Sequence, residues 1–257
     1  MHRFLRKPNS GQLRPALFLH IQKTAGTSIV ELATKYYGQA NVCSHGDFLG
    51  KQPSDFASVP FISGHFGYDF ARSLMPSRYC FTFLRDPSER ILSYYYFCKQ
   101  RDPNEFWIYK LAQERDLEAF LELASENPMG KACIWNQLTW QLAHGYEKQD
   151  KRSIVHFKSE ELVALATEHL REFDHIGFTE TFETDKRHVL KGIGIPNRDV
   201  TIKANVTQNK AVLKDLPSST KQLLDQLTEL DRHVYEYAWS HLHGKKRSFI
   251  RRISGNG

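Results

Sequence analysis

Ala16-Leu17-Phe18-Leu19-His20-Ile21-Gln22-Lys23-Thr24-Ala25-Gly26-Thr27-Ser28 is the stretch on which the fold turns. Its first six residues are almost wholly apolar and bounded by a polar loop, the pattern of a short strand covered on both faces. Beyond the loop at residues 22–27, Ile29, Leu32, Ala33 and Tyr36 follow the i, i+3, i+4, i+7 spacing of an amphipathic helix, and Gly38 is placed to end it. Strand, tight loop and helix in succession are the repeating unit of an α/β domain with a parallel sheet.

A second unit starts at Tyr79-Cys80-Phe81-Thr82-Phe83-Leu84, rich in aromatic and other strand-favouring residues, and turns at Arg85-Asp86-Pro87 into a helix carrying Ile91, Leu92, Tyr95 and Tyr96. Asp86 is the expected cap, Pro87 the first helical residue, and Glu89 stands three past the cap. Arg90, four residues after Asp86, is positioned to pair with it on the helix surface. Helices are also expected over 117–124, 132–143 closed by Gly145, 160–173 capped by Ser159, and 218–242. Strands are expected over 153–157 and 175–178. The polar, irregular segment 197–217 is a candidate active-site loop.

The loop after the first strand has the chemistry of an anion cradle. It leads into a helix N-terminus, where unpaired N–H groups and the positive end of the helix dipole favour a phosphate. Lys23 adds a mobile positive charge, Gly26 permits close backbone approach, and Thr24, Thr27 and Ser28 offer hydroxyls. A nucleoside-triphosphatase loop, G-x-x-x-x-G-K-[ST], places its lysine after the glycines; here Lys23 precedes Gly26 and no second glycine stands upstream at the motif's spacing. In the second unit, Arg85 at the strand end and Ser93 two turns into the helix are placed to converge on another phosphate, the guanidinium by paired charge-assisted bonds and Ser93 by its hydroxyl. Two phosphate sites on two strand-to-helix units fit a bisphosphate nucleotide.

Residues 19–28, Leu-His-Ile-Gln-Lys-Thr-Ala-Gly-Thr-Ser, resemble the 5′-phosphosulfate loop of sulfotransferases that use 3′-phosphoadenosine 5′-phosphosulfate (PAPS). Residues 83–97, Phe-Leu-Arg-Asp-Pro-Ser-Glu-Arg-Ile-Leu-Ser-Tyr-Tyr-Tyr-Phe, resemble their 3′-phosphate segment, with a likeness to the heparan sulfate and uronyl 2-O-sulfotransferases. Weaker likeness continues at Asn136-Gln137-Leu138-Thr139, at Ile176-Gly177-Phe178-Thr179-Glu180 and in the last helix. The resemblance implies a P-loop-like fold with a central, mainly parallel sheet flanked by helices, PAPS as co-substrate without a required metal, and a carbohydrate hydroxyl as acceptor. It places Lys23, Thr24, Ala25, Gly26, Thr27, Ser28, Arg85 and Ser93 at the nucleotide, with Lys23 also stabilising the leaving group. It makes His65, in Ile62-Ser63-Gly64-His65-Phe66-Gly67, the general base, suited to that task by an ordinary imidazole titration near neutrality. Ser63 stands where animal relatives carry a further histidine. Thr207 and Lys210, in the polar loop before the last helix, are further nucleotide contacts on the same ground. His20 is expected to be a satisfied core histidine, and Tyr94, Tyr95 and Tyr96 to pack in the core and at its rim. Arg72, Lys99 and Arg101 lie near the motifs, where an acidic sugar or plain solvent would suit them equally.

The 257 residues suffice for one substantial core, read as a single domain over 15–243 between an N-terminal extension, 1–14, and a basic tail, 244–257. Lys245, Lys246, Arg247, Arg251 and Arg252 supply five of the six net positive charges, so the body is near neutral, which argues against a broad nucleic-acid-binding face. The tail is left with solvent or weak contact to an anionic surface. The four cysteines lack metal-ligand spacing, and the acidic residues show no paired arrangement for a metal centre or glycoside hydrolysis. No run approaches the roughly 18 to 20 apolar residues of a membrane span. The expectation is a bacterial-type cytosolic enzyme or a trimmed luminal one. Two rivals stay open at this point: a small-molecule kinase using Mg-ATP, and a nucleotide-binding protein without catalysis.

Overall fold

The computed structural model describes residues 12–145, 157–196 and 211–243. Five parallel strands form one sheet in the order β2-β3-β1-β4-β5: β1 Ala16–Leu19, β2 Val42–Cys43, β3 Phe61–Gly64, β4 Tyr79–Leu84 and β5 His175–Phe178. From β1 the chain goes to the edge strand β2, returns to β3 beside β1, and then crosses to β4 and β5 on the other side, so β1 lies at the point where strand order reverses. In open α/β sheets ligands bind beyond the C-terminal strand ends at such a point.

Every residue of β1 is fully buried because both sheet faces are covered. On one face Phe18, Phe61, Phe81 and Phe83 pack beneath α1 (Gly26–Tyr37) and α9 (Phe182–Ile193), with Phe18 and Phe81 stacked 4.7 Å apart. On the other, Leu17, Leu19, Ile62 and Leu84 pack under α2 (Tyr68–Ala71), α7 (Gln137–Ala143), α8 (Ser159–Leu170) and α11 (Glu229–His241). A third apolar cluster joins α3 (Pro87–Lys99), α4 (Trp107–Glu114), α5 (Leu117–Glu126), α6 (Pro128–Ile134) and α10 (Ser218–Leu227). Truncating one of the buried phenylalanines to alanine typically costs about 3–5 kcal/mol.

The two expected strand-to-helix units are present, and Asp86 caps α3 by accepting from the Glu89 amide at 2.9 Å. Elsewhere the structure corrects the sequence reading. The helix expected over 132–143 breaks at Trp135 and Asn136, and the one over 218–242 breaks at Thr228. The breaks cap one another. Asn136, with φ of 42°, accepts from the amides of Leu230 and Asp231 (2.8 and 3.1 Å), while the Asp231 carboxylate accepts from Leu138 and Thr139 (3.2 and 2.7 Å). Each helix start thus satisfies orphan N–H groups of the other.

Arg90 does not pair with Asp86 at the surface. It is fully buried, donates to the Cys133 carbonyl at 3.1 Å, and its charge favours the ionised form of buried Asp231, whose pKa burial raises. Ser159 is the first residue of α8 rather than its cap, which is Lys158; Glu160 and Glu161 complement the dipole there instead. α8 ends at Leu170, short of the expected 173. β2, β3, α2, α4 and α9 were not among the expected elements. Of the strand expected at 153–157 only Phe157 lies within the described residues, where it is not in a strand; of the irregular segment 197–217, residues 197–210 lie outside them, and Leu213–Asp215 form a 3₁₀ turn. Among the described residues no helix is long and apolar enough to cross a membrane.

Candidate active site

β1 ends at Leu19, and the next residues form a loop strained in two places. Lys23 (φ 68°) and Ala25 (φ 64°) both take the left-handed conformation, which costs a non-glycine residue about 1–2 kcal/mol. Such strain is characteristic of ligand-binding loops, and backbone in these conformations turns its amides toward one concavity. α1 begins at Gly26 with no side-chain cap, leaving its first amides to the loop's open side. The Thr24 hydroxyl, expected as an anion donor, instead donates inward to the Ile21 carbonyl at 2.7 Å, and Thr24 is fully buried. Thr27 is exposed and Ser28 half-buried at the helix head. Gly26 leaves room for a ring: a Cβ there would sit 1.9 Å from Nε2 of His20.

The loop meets the second unit directly. Arg85, just past β4, donates from Nη1 to the Lys23 carbonyl at 3.3 Å and pairs with Glu89 at 3.4 Å. The Lys23 ammonium lies over the Phe97 ring of α3, 4.1 Å from its centroid, and the Arg101 guanidinium is 4.6 Å from the same ring. Burial, with Arg85 and Arg101 nearby, lowers the Lys23 pKa to about 8. Three cations therefore gather around this loop, an arrangement that repels itself until an anion arrives.

On the other side of β1 stands an imidazole group. His20 follows β1 and His65 follows β3, and their rings are 4.5 Å apart. His65 Nδ1 lies 2.9 Å from the His20 carbonyl. A carbonyl only accepts, so Nδ1 carries the proton and Nε2 keeps a lone pair. Burial, with His45 and Lys23 adding to it against the His20 hydrogen bond, lowers the His65 pKa to about 4, so its ring is neutral near pH 7. His20 does not match the expectation of a satisfied core residue: it is 5% exposed, stacked on Phe18, and its Nδ1 has no partner. Gln141 of α7, in the segment that continues the weaker likeness at 136–139, holds this ground in place. Its Nε2 donates to the carbonyls of His20 (3.1 Å) and Phe66 (2.9 Å).

A cationic loop, a strained helix head and a neutral imidazole thus sit together at the C-terminal ends of β1, β3 and β4. A family model described as "Sulfotransferase family" matches residues 14–238, from the approach to β1 into α11. The chain belongs to the sulfotransferase family. No curated protein matches the chain.

In this sulfotransferase, Lys23 and Arg85 touch, and His65 lies across β1 from them. Ser93, expected beside Arg85 at a phosphate, is 7% exposed on α3. Thr207 and Lys210 lie outside the described residues, as does the basic tail. The chain returns beside α3 at Ala211, whose amide donates to the Tyr96 hydroxyl at 2.9 Å. Tyr94 and Tyr95 are core residues, as expected. Ser63 is fully buried within β3, so no group of its side chain reaches an acceptor. Arg72 is exposed, and Lys99 donates to the Tyr95 hydroxyl at 3.4 Å. The sequence reading missed Gln141 and His45. His45 follows β2, and its ring lies parallel to that of His65 with centroids 6.0 Å apart.

Proposed function

We propose that this sulfotransferase moves a sulfuryl group from PAPS to a hydroxyl of a carbohydrate acceptor, with His65 as general base. What supports the reading is the hydrogen bond from Arg85 to the Lys23 carbonyl, which brings together the two segments proposed to bind phosphate, with the His65 lone pair on the neighbouring strand end. The residues present fit the nucleotide. The left-handed backbone at Lys23 and Ala25 and the uncapped head of α1 suit the 5′-phosphosulfate, together with Gly26, Thr27 and Ser28. Arg85, with Ser93 on the following helix, suits the 3′-phosphate; Thr207 and Lys210 are proposed as further contacts.

Lys23 holds positive charge where negative charge grows on the departing bisphosphate. His65 Nε2 accepts the acceptor's proton as the oxygen attacks the sulfur in line. A pKa near 4 is low for a base, and negative charge brought by a bound donor would favour the imidazolium and raise it. The hydroxyl acceptor and the kinship with the 2-O-sulfotransferases rest on the sequence resemblance; Arg101 beside Lys23 offers a charge for an acidic sugar.

Transfer of label from ³⁵S-PAPS to a panel of glycans tests the proposal and separates it from nucleotide binding without catalysis. His65→Ala is expected to lower turnover by about 10²–10⁴-fold while leaving affinity for 3′-phosphoadenosine 5′-phosphate (PAP) nearly unchanged. Equal loss of both, or of neither, removes His65 from the role.

A further inference from the structure

Three neighbouring parallel strands each run into a histidine at the C-terminal edge: His45 after β2, His65 after β3 and His20 after β1. One ring nitrogen from each lies within 4.8 Å of the others. We propose that His20, His45 and His65 form a binding site for a borderline divalent transition metal of the zinc type, and that the metal inhibits the enzyme by taking the lone pair of the base.

Several features suit these rings to a metal. Imidazole is a favoured ligand for zinc, copper and nickel, and three histidines with a fourth position open make a common zinc site. The His65 ring is oriented by its Nδ1–H donating to the His20 carbonyl, the kind of second contact that fixes a metal-binding imidazole and leaves Nε2 to coordinate. That carbonyl is in turn held by Gln141, so the support is two residues deep. His20 carries a buried ring nitrogen without a partner, while the opposite edge of its ring packs on Gly26. A buried polar atom left unsatisfied is unfavourable, and a ligand there would relieve it.

His45 is exposed and sits on a left-handed backbone (φ 52°), which aims it over His65. Tetrahedral bonds of about 2.0–2.1 Å require nitrogen separations of roughly 3.4 Å, so the cluster must close by about an ångström, a movement open to the exposed ring. Lys23 is the charge that opposes a cation here. The second cluster of this kind, His175, Asp185 and His188, is less suited: the Asp185 carboxylate already accepts from Thr181 and the Phe178 amide and contacts His175.

Inhibition rests on the reading of His65 as base; the metal site does not. The test is calorimetric titration of zinc into chelator-stripped full-length protein, with cobalt as an optical probe, alongside zinc titration of the labelled-PAPS assay. His45→Asn is the informative variant, since asparagine tolerates the left-handed backbone and His45 neither carries the proton nor belongs to the nucleotide loop in the proposed transfer. One equivalent of zinc is expected to bind, with a four-coordinate cobalt spectrum. His45→Asn should weaken binding by at least about 100-fold, since even outer partners of a metal site contribute 10–100-fold. It should still transfer sulfuryl without zinc and, unlike the parent protein, keep its own rate when zinc is added. Absence of a saturable equivalent, or unchanged binding in His45→Asn, overturns the site; binding without inhibition overturns the inhibitory role. Should no sulfuryl transfer be found at all, the proposed function fails while calorimetry still decides the metal site.

Discussion

Gly26→Ala, made alone and together with His20→Ala, probes the packing that joins the nucleotide loop to the histidines. An added Cβ would lie 1.9, 2.2 and 2.3 Å from Nε2, Cε1 and Cδ2 of His20. The ring has little room to retreat, being stacked on Phe18 at 4.9 Å and set against His65 at 4.5 Å. Forcing a methyl into such a space costs about 1–3 kcal/mol. Alanine gains about 0.5–1 kcal/mol over glycine within a helix, so the net loss in the single variant should be roughly 0–2.5 kcal/mol. In the His20→Ala background the obstructing ring is gone, and the same substitution should be neutral or stabilising by about 0.5–1 kcal/mol. Urea unfolding of the four proteins gives the coupling, expected at about 1–3 kcal/mol. Equal effects of Gly26→Ala in the two backgrounds would refute the claim that glycine is required here by the histidine ring.

Two further outcomes follow from charges held in place. As the proposed anion ligand Lys23 acts as ammonium, and its pKa near 8 means PAP affinity should fall by up to about tenfold per unit above pH 8. Lys23→Arg stays charged throughout, so a fall persisting in that variant would assign it to another group. Asp231→Ala removes the acceptor for the Leu138 and Thr139 amides and leaves both buried donors unsatisfied, so a loss of about 2–5 kcal/mol in urea unfolding is expected. A loss below about 1 kcal/mol would show that the start of α7 does not depend on this cap.

The two strand-to-helix units could be read from the chain because their signals are local: an apolar run, a loop with Lys23 or Arg85, a cap and a helical period. The breaks at Asn136 and Thr228 could not, because the atoms that interrupt each helical pattern lie more than ninety residues away in the other helix. Arg90 misled for the same reason, its environment being set by Cys133 and Asp231 rather than by the neighbouring turn. β3 is four residues long and holds a serine and a glycine, so Ile62–Gly67 carried a chemical signal without a strand signal. The histidine group was hidden most deeply. His20, His45 and His65 converge only because β2, β3 and β1 lie side by side, and strand order is written nowhere in local sequence.

The central claim is that one bisphosphate nucleotide spans the walls formed by Lys23 and Arg85. Calorimetric titration with PAP and with adenosine 5′-monophosphate, on the parent protein and on Arg85→Met, tests it most directly. PAP is expected to bind at least about tenfold more tightly than the monophosphate, as a charge-assisted contact to the 3′-phosphate requires, and Arg85→Met should remove most of the difference. Equal affinities for the two nucleotides in the parent protein, or a preference that Arg85→Met leaves undiminished, would contradict it.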